Sequence, residues 1–217
     1  LFIFIICKII RIKTIISPHG MIDPFSFSQK KIKKEIAWFL YQRFILSKSD
    51  LIIVNSKKEK KNLLNKIKKN KIIIINHGIN LSKNFSLKNK KSNVLKFVFF
   101  SKIHQSKNLF NLIKIWLSDE FFTKFSFHFY GEIVNNNYFL KIKDLIKSSE
   151  NIKYKGKLNK NIQKKLNNYD FFLHPSKSEN FGLVVIEALS SGLFVILNNK
   201  LDWKILDNKG FGISINF

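Results

Sequence analysis

The sequence predicts an α/β protein with two doubly wound parallel sheets. Short apolar runs such as DLIIVNS (50–56) and YDFFLHPS (169–176) alternate with stretches in which apolar residues recur every three or four positions. Strands that alternate with helices are typical of parallel sheets with crossover helices. Because the strand-like runs are apolar throughout, we expect helices on both faces of each sheet. Ligands in such sheets bind at the carboxyl ends of the strands.

The opening run LFIFIICKIIRIKTIIS has the apolar content of a signal peptide or a membrane span. Lys8, Arg11 and Lys13 interrupt it before it reaches the roughly 20 apolar residues that a span needs. We therefore expect a core helix that leads into a strand at 14–17. The single cysteine, Cys7, excludes an intrachain disulfide and a cysteine-based zinc site. We expect a buried thiol there, which is compatible with a reducing cytoplasm.

The elements expected after this opening alternate along the chain. Apolar residues spaced three and four apart predict an amphipathic helix over 30–47. Residues 81–93 are rich in Lys, Asn and Ser and lack periodicity, so we place a linker there, between domains at 1–80 and 94–217. The other strands are expected at 50–56, 71–80, 94–101, 125–131, 151–156, 169–176, 193–199 and 211–217, and the other helices at 57–69, 108–117, 138–147, 161–167 and 181–191.

The net charge of +25 at pH 7 raises the possibility of a nucleic-acid partner, since a dense basic face releases counterions from phosphate backbones. Of the 39 basic residues, however, only Arg11 and Arg43 are arginine, and the lysines are spread through every polar stretch. A nucleic-acid binder would cluster arginine and aromatic residues on one face. We therefore expect no specific nucleic-acid partner, although the basic surface would favour an anionic membrane.

The segment HPSKSENFGLVVIEALSSGLFVILNN (174–199) carries the strongest binding signal. A buried strand ends at Ser176, a short polar loop follows, and a helix is predicted whose first turn is Asn180, Phe181 and Gly182. Free N–H groups at such a helix start, together with the positive end of the helix dipole, form a natural phosphate site. A glycine there lets a ligand approach the backbone closely.

Two carboxylates flank this helix start, in a chain with only 14 acidic residues. Glu179 precedes the helix, and Glu187 follows eight residues later. A carboxylate can accept two hydrogen bonds from the vicinal hydroxyls of a ribose, although either position by itself also suits a capping or solvated acid. The whole string resembles the donor-site motif of the family 4 glycosyltransferases. The matching residues are Pro175, Ser176, Glu179, Phe181, Gly182, Glu187, Ala188 and Gly192.

This resemblance implies a GT-B fold, in which two Rossmann-like domains bind a nucleoside diphosphate sugar and an acceptor. By the same resemblance, Glu179 would contact the donor sugar, Glu187 would hold the ribose hydroxyls, and the backbone from Asn180 to Leu183 would bind the diphosphate. Backbone near Gly156 and Leu158 would contact the base. The resemblance implies neither a metal ion nor a cofactor.

A second match to the family lies at FFSKIHQSKNLFNLIKIW (99–116). Related enzymes carry an Arg soon after a strand and a Lys five residues later, and the corresponding residues are Lys102 and Lys107. Without a metal, two fixed cations would neutralise the charge that builds on the leaving diphosphate. Lys102 replaces the commoner Arg and lacks its bidentate fork, so we expect a lower donor affinity or rate. In a chain so rich in Lys, either residue by itself also suits a plain surface position.

A third match, SPHGMIDPF (17–25), resembles the end of the amino-terminal domain in the same family. Its His-Gly turn implies that His19 lies at the reacting sugar, where it would contact a donor hydroxyl or help to position the acceptor, although a lone histidine is more often structural. His77 matches a hinge segment and is interpreted as a turn residue. His104, His128 and His174 show no metal-ligand spacing, so core or surface roles are expected for them. The residues that we expect to act in catalysis are therefore His19, Lys102, Lys107 and Glu179.

The function implied by the resemblance is transfer of a sugar from a nucleoside diphosphate sugar to a hydroxyl with retention of configuration. The expected acceptor is a glycan or a lipid-linked sugar in bacterial surface polysaccharide or lipopolysaccharide synthesis, at the cytoplasmic face of the membrane. The chain starts without Met and stops in a strand-like run, so we expect a piece that lacks parts of both domains. Two alternatives are a noncatalytic nucleotide-binding remnant and, less favoured, a basic nucleic-acid-binding protein.

Overall fold

The chain folds into two compact units, Leu1–Gly78 and Ile79–Phe217. The linker predicted at 81–93 and most of the helix predicted at 161–167 lie outside the described residues. The structure is a computed structural model that describes residues 1–28, 31–68, 71–78, 94–157, 165–201, 203 and 205–217.

The first unit is built around a parallel sheet in the order β1-β2-β3. Its strands are β1 (Ile15–Ile16), β2 (Leu51–Val54) and β3 (Ile72–Ile74). Ile52, Val54 and Leu63 are fully buried in its core. Its helices are α1 (Phe2–Ile9), α2 (Pro24–Ser28), α3 (Lys31–Ala37), α4 (Arg43–Lys48) and α5 (Lys57–Leu64).

The opening helix α1 lies on the surface of the first unit, so the prediction of a core helix is wrong. Phe4 is buried and packs edge-to-face on Phe44, with ring centroids 6.1 Å apart. Phe2 and Ile3 are 81% and 79% exposed. Cys7 is half-buried, not buried as predicted. Because this run is apolar on nearly every side of the helix, its periodicity could not indicate which face is covered.

The long amphipathic helix predicted before β2 is divided by a π turn at Trp38–Gln42, which separates α3 from α4. A π turn inserts an extra residue into the helical repeat, so the two halves present different faces. Leu46 is buried, whereas Ile32 and Phe39 of the predicted apolar stripe are 75% and 76% exposed. Much of the predicted stripe is therefore exposed in the described part of this unit.

The second unit contains a parallel sheet in the order β6-β5-β4-β7-β8-β9, which confirms the doubly wound arrangement. The order reverses between β4 and β7, which pair directly. Open sheets of this kind bind ligands at that switch point, beyond the carboxyl ends of the strands. The strands are β4 (Lys96–Phe100), β5 (Ser126–Tyr130), β6 (Ile152–Tyr154), β7 (Phe171–His174), β8 (Phe194–Asn198) and β9 (Gly212–Ile215).

Helices cover both faces of the six-stranded sheet, as the apolar strands predict. The helices are α6 (Leu109–Leu117), α7 (Asn136–Ile146), α8 (Leu183–Ser190) and α9 (Ile205–Lys209). Along β4, Phe97 and Phe99 join the core beneath α6 and α7, while Val98 and Phe100 join the core beneath α8 and α9. None of the helices that the structure describes is both long enough and apolar enough to cross a membrane.

Candidate active site

The switch point of the six-stranded sheet brings Lys107 and Glu179 together. Lys107 ends a 3-10 turn (Gln105–Lys107) that follows β4, and Glu179 lies in the loop that follows β7. The side chains form an ion pair between Lys107 Nζ and Glu179 Oε1, and they are 19% and 16% exposed. Because β4 and β7 are neighbours in the sheet, two residues 72 positions apart in sequence meet at one edge.

His174, the last residue of β7, contacts the same carboxylate. Its Nε2 lies 3.0 Å from Glu179 Oε1, and its side chain is fully buried. The other ring nitrogen, Nδ1, is buried and has no hydrogen-bond partner among the described residues. The sequence left core and surface roles open for His174, and the structure gives it a core position. Its contact with Glu179 was missed, because nothing in the spacing of the two residues distinguishes it.

The charges in this cluster set the protonation of Glu179. Burial by itself would raise the pKa of Glu179, but the hydrogen bond from His174 and the charge of Lys107 outweigh it and lower that pKa to about 2. Burial also lowers the pKa of His174, and the opposing attraction to Glu179 does not cancel this effect. At neutral pH Glu179 is therefore ionised and His174 is neutral.

Helix α8 starts beside this cluster, at Leu183 and not within 180–182 as predicted. Gly182 is the N-cap of α8 and has φ at +75°. This left-handed conformation lies outside the helical region and favours glycine. A Cβ atom at Gly182 would lie 3.1 Å from Nε1 of Trp203, for which the sequence indicated no role. The first N–H groups of α8 lack intrahelical partners by their position, as an anion site requires.

Glu187 lies within α8 and is half-buried. Its carboxylate has no hydrogen bond or ion pair within the described ranges, and burial raises its pKa. Its backbone carbonyl accepts hydrogen bonds from the hydroxyls of Ser190 and Ser191, each at 2.9 Å. The carboxylate is therefore an acceptor that the described side chains do not use.

Two other predicted donor-site residues, Lys102 and Gly156, form no described hydrogen bond or ion pair with Lys107 or Glu179. Lys102 is exposed and forms no ion pair with any described residue. Gly156 has φ at +81°, and its carbonyl accepts a hydrogen bond from Gly131 N–H at 3.0 Å, between the ends of β5 and β6. Leu158 lies outside the described residues. The structure thus pairs Lys107 with Glu179, and no ion pair joins Lys102 to Glu179.

A separate polar cluster surrounds His19 in the first unit. His19 Nδ1 lies 3.1 Å from Asn55 Nδ2, and its ring stacks on His77 with centroids 6.0 Å apart. The buried Glu59 accepts hydrogen bonds from the backbone N–H groups of Gly20 and Asn55, the second at 2.8 Å. Glu59 therefore fixes the turn that carries His19. The Ser-x-x-Glu capping pattern at the start of α5 was the available signal for it.

A cavity of about 460 Å³ lies beside the turn that carries Lys107. The residues that line it include Asn108, Asn111, Asn135, Tyr138 and Lys177. A carboxamide both donates and accepts hydrogen bonds. This lining suits a ligand rich in hydroxyl groups.

Comparison with known proteins places the chain among glycosyltransferases. The family model for "Glycosyl transferases group 1" matches residues 79–202, and the model for "Glycosyltransferase Family 4" matches residues 1–83. An uncharacterized 41.2 kDa protein in the cps region of Klebsiella pneumoniae is 30% identical over 231 residues. That alignment covers 100% of this chain and 61% of the relative, so the chain spans less than two thirds of its length.

Solved structures confirm the GT-B fold. Anabaena Alr3699/HepE, in complex with UDP and glucose, has a TM-score of 0.77 and 18% identity, covering 98% of this chain and 60% of that protein. Sucrose-phosphate synthase from Thermosynechococcus elongatus has a TM-score of 0.76 and 17% identity, covering 93% of this chain and 54% of that enzyme. Since one family model matches more than half of its residues, this chain belongs to the glycosyl transferases group 1.

Proposed function

We propose that this chain binds a nucleoside diphosphate sugar and belongs to a family 4 glycosyltransferase that transfers the sugar to a hydroxyl with retention of configuration. The observation that carries the proposal is the meeting of Lys107 and Glu179 at the switch point, beside the start of α8. A cation and a helix start suit a diphosphate, and a carboxylate suits sugar hydroxyls. The similar fold of the Anabaena protein, solved with UDP and glucose, supports this ligand class.

Each residue in this proposal has a role that its surroundings allow. Glu179 accepts a hydrogen bond from the donor sugar, and Glu187, which has no described partner, accepts from the ribose hydroxyls. The backbone from Asn180 to Leu183 and the side chain of Lys107 bind the diphosphate. For His19, the proposed role is a contact with a donor hydroxyl or the positioning of the acceptor.

The proposed reaction is a substitution on one face of the sugar. The bond between the anomeric carbon and the diphosphate oxygen breaks, and the acceptor hydroxyl oxygen bonds to the same face. The hydroxyl proton passes to the departing diphosphate, which Lys102 and Lys107 stabilise as its negative charge grows. Neither Glu179 nor Glu187 acts as a nucleophile. The proposal includes no metal ion, so EDTA should leave donor binding unchanged.

The proposed setting is synthesis of a bacterial surface polysaccharide or lipopolysaccharide, with a glycan or lipid-linked acceptor at the cytoplasmic face of the membrane. The relative in a cps region supports this setting. The net charge of +25 and the exposed apolar side chains of α1 support peripheral contact with an anionic membrane. The cavity, which is lined in part by asparagine residues, supports a hydroxyl-rich ligand.

Calorimetric titration of the chain with UDP, GDP and ADP tests the donor assignment. We expect one of the three to bind, and Lys107→Ala to weaken its binding about tenfold or more, because a charge-assisted contact is worth about 1.5–3 kcal/mol. Lys147→Ala is the control, because Lys147 caps the carboxyl end of α7 and its side chain is 74% exposed. Absence of binding to all three nucleotides, or equal binding by both variants, would contradict the proposal.

A noncatalytic nucleotide-binding remnant is the second candidate, favoured by one observation. Lys102 stands where related enzymes carry Arg, and it is exposed. Nucleotide binding without sugar transfer, measured with an acceptor present, would favour this second candidate. Restoration of transfer by Lys102→Arg would identify the substitution as its cause.

A further inference from the structure

We propose that His174 is a positioning residue that orients the Glu179 carboxylate and keeps it ionised when Lys107 turns toward the donor diphosphate. The inference rests on the proposed function, because it assigns Lys107 to the diphosphate and Glu179 to the donor sugar. His174 itself is fully buried, so the proposed ligand contacts Glu179 and Lys107 and not His174.

The two oxygens of the Glu179 carboxylate have different contacts. Lys107 Nζ and His174 Nε2 both contact Oε1. The other oxygen, Oε2, has no hydrogen-bond partner within the part of the chain that the structure describes. Two donors on one oxygen fix the orientation of the group, so Oε2 is the acceptor left for a sugar hydroxyl.

The surroundings of His174 determine which of its nitrogens carries the proton. An ionised carboxylate only accepts hydrogen bonds, so Nε2 must donate to Glu179. Nδ1 is buried without a partner, and the ring stacks on Phe172 with centroids 5.5 Å apart. A proton on Nδ1 would place an unsatisfied N–H in apolar surroundings, which is costly. His174 is therefore a neutral, fixed donor and not a second cation beside Lys107.

This neutral donor matters when a ligand competes for Lys107. Among the residues that the structure describes, the ionisable side chains that act on the Glu179 carboxylate are Lys107, from the turn after β4, and His174, at the end of β7. If Lys107 turns to a diphosphate, the Nε2–H of His174 is the hydrogen bond that remains, within the described ranges, to the carboxylate of Glu179, whose side chain is 16% exposed. Without His174, Glu179 would take up a proton or retain Lys107. Either outcome weakens donor binding.

Two substitutions separate this positioning role from packing. His174→Gln places an amide N–H near the position of Nε2, whereas His174→Leu fills the space without a donor. His128→Leu is the matched control, because His128 is a histidine of the same sheet whose ring bonds Tyr169 and Ser126 instead of a carboxylate. Each variant is titrated with UDP, GDP and ADP by calorimetry. The carboxyl carbon of Glu179 is followed against pH by NMR, with Glu179→Gln used to assign its signal.

We expect the midpoint of the Glu179 titration to rise in His174→Leu and to stay low in His174→Gln and His128→Leu. Affinity for the nucleotide that binds should fall about tenfold in His174→Leu and recover in His174→Gln. Nitrogen NMR of the wild-type chain should find the His174 proton on Nε2 at neutral pH. A merely structural role would lower the melting temperature of His174→Leu without moving the Glu179 titration.

An unmoved titration in folded His174→Leu, or a proton on Nδ1 of the wild-type ring, would overturn the inference. If His174→Leu does not fold, the inference is tested by the tautomer of His174 in the wild-type chain and by the nucleotide affinity of His174→Gln. If no nucleotide binds the wild-type chain, the proposed function fails. The NMR titration still tests whether His174 controls Glu179, so the two failures are distinguishable.

Discussion

Replacing Glu179 with Gln should lower the free energy of unfolding at neutral pH by up to about 3 kcal/mol. Burial by itself would raise the pKa of Glu179, but His174 and Lys107 outweigh burial and lower it from the ordinary value of 4.5 to about 2. Each pKa unit corresponds to about 1.4 kcal/mol, so the lowering amounts to about 3 kcal/mol of folding free energy. Gln cannot supply this contribution, because its amide is neutral.

The direction of the pKa shift of Glu179 determines how this loss of stability depends on pH. Since the folded pKa of Glu179 lies below the unfolded one, the contribution is fully present above about pH 4.5 and disappears as the pH falls toward about 2. Urea unfolding of the wild-type protein and Glu179→Gln should therefore show a gap at pH 7 that narrows between pH 4.5 and about 3.

Glu187→Gln is the matched control, because the pKa shift of Glu187 is opposite in direction to that of Glu179. Burial raises the pKa of Glu187, so its contribution to stability is present below the ordinary value of 4.5 and is lost as the pH rises through the folded value. At pH 7, Glu187→Gln should be as stable as the wild-type protein or more stable. A Glu179→Gln gap that stays constant with pH, or a similar loss in Glu187→Gln, would refute the reasoning.

Further predictions concern the ribose, the start of α8 and the charged surface. If the wild-type chain binds UDP, it should bind UDP more tightly than 2′-deoxy-UDP, and Glu187→Gln should reduce that preference; an unchanged preference would contradict the ribose assignment. Gly192→Ala should lower the free energy of unfolding by about 1–2 kcal/mol, because Gly192 has a positive φ. Gly182→Ala should lower it further, because an added Cβ would also meet Trp203. Equal losses for the two variants in urea unfolding would show that the contact with Trp203 is unimportant. Vesicles containing anionic lipid should cosediment with the chain at low salt and release it at high salt; equal binding to neutral vesicles would argue against a charge effect. Duplex DNA should bind weakly, without sequence preference and with a steep fall as salt rises, and tight sequence-selective binding at physiological salt would restore the nucleic-acid alternative.

Much of the second unit could be predicted from the sequence. The strands that form its sheet lie within the predicted segments. This success has a local cause, because strands covered on both faces are continuously apolar and the turns between them are polar. The first unit was less predictable. Its opening helix is apolar on nearly every side, and a π turn displaces the apolar stripe of its longest helical stretch.

The sequence by itself determined which residue types are available to the site and the motif spacing of Glu179 and Glu187. Only the tertiary structure decided which groups meet. Lys107 reaches Glu179 across 72 positions because β4 and β7 are neighbours in the sheet, and strand order is not encoded in any local pattern. The same packing makes His174 a partner of Glu179 and lowers the pKa of Glu179. Burial within the same unit raises the pKa of Glu187. These effects depend on burial and on distances between side chains, which the chain acquires only when it folds.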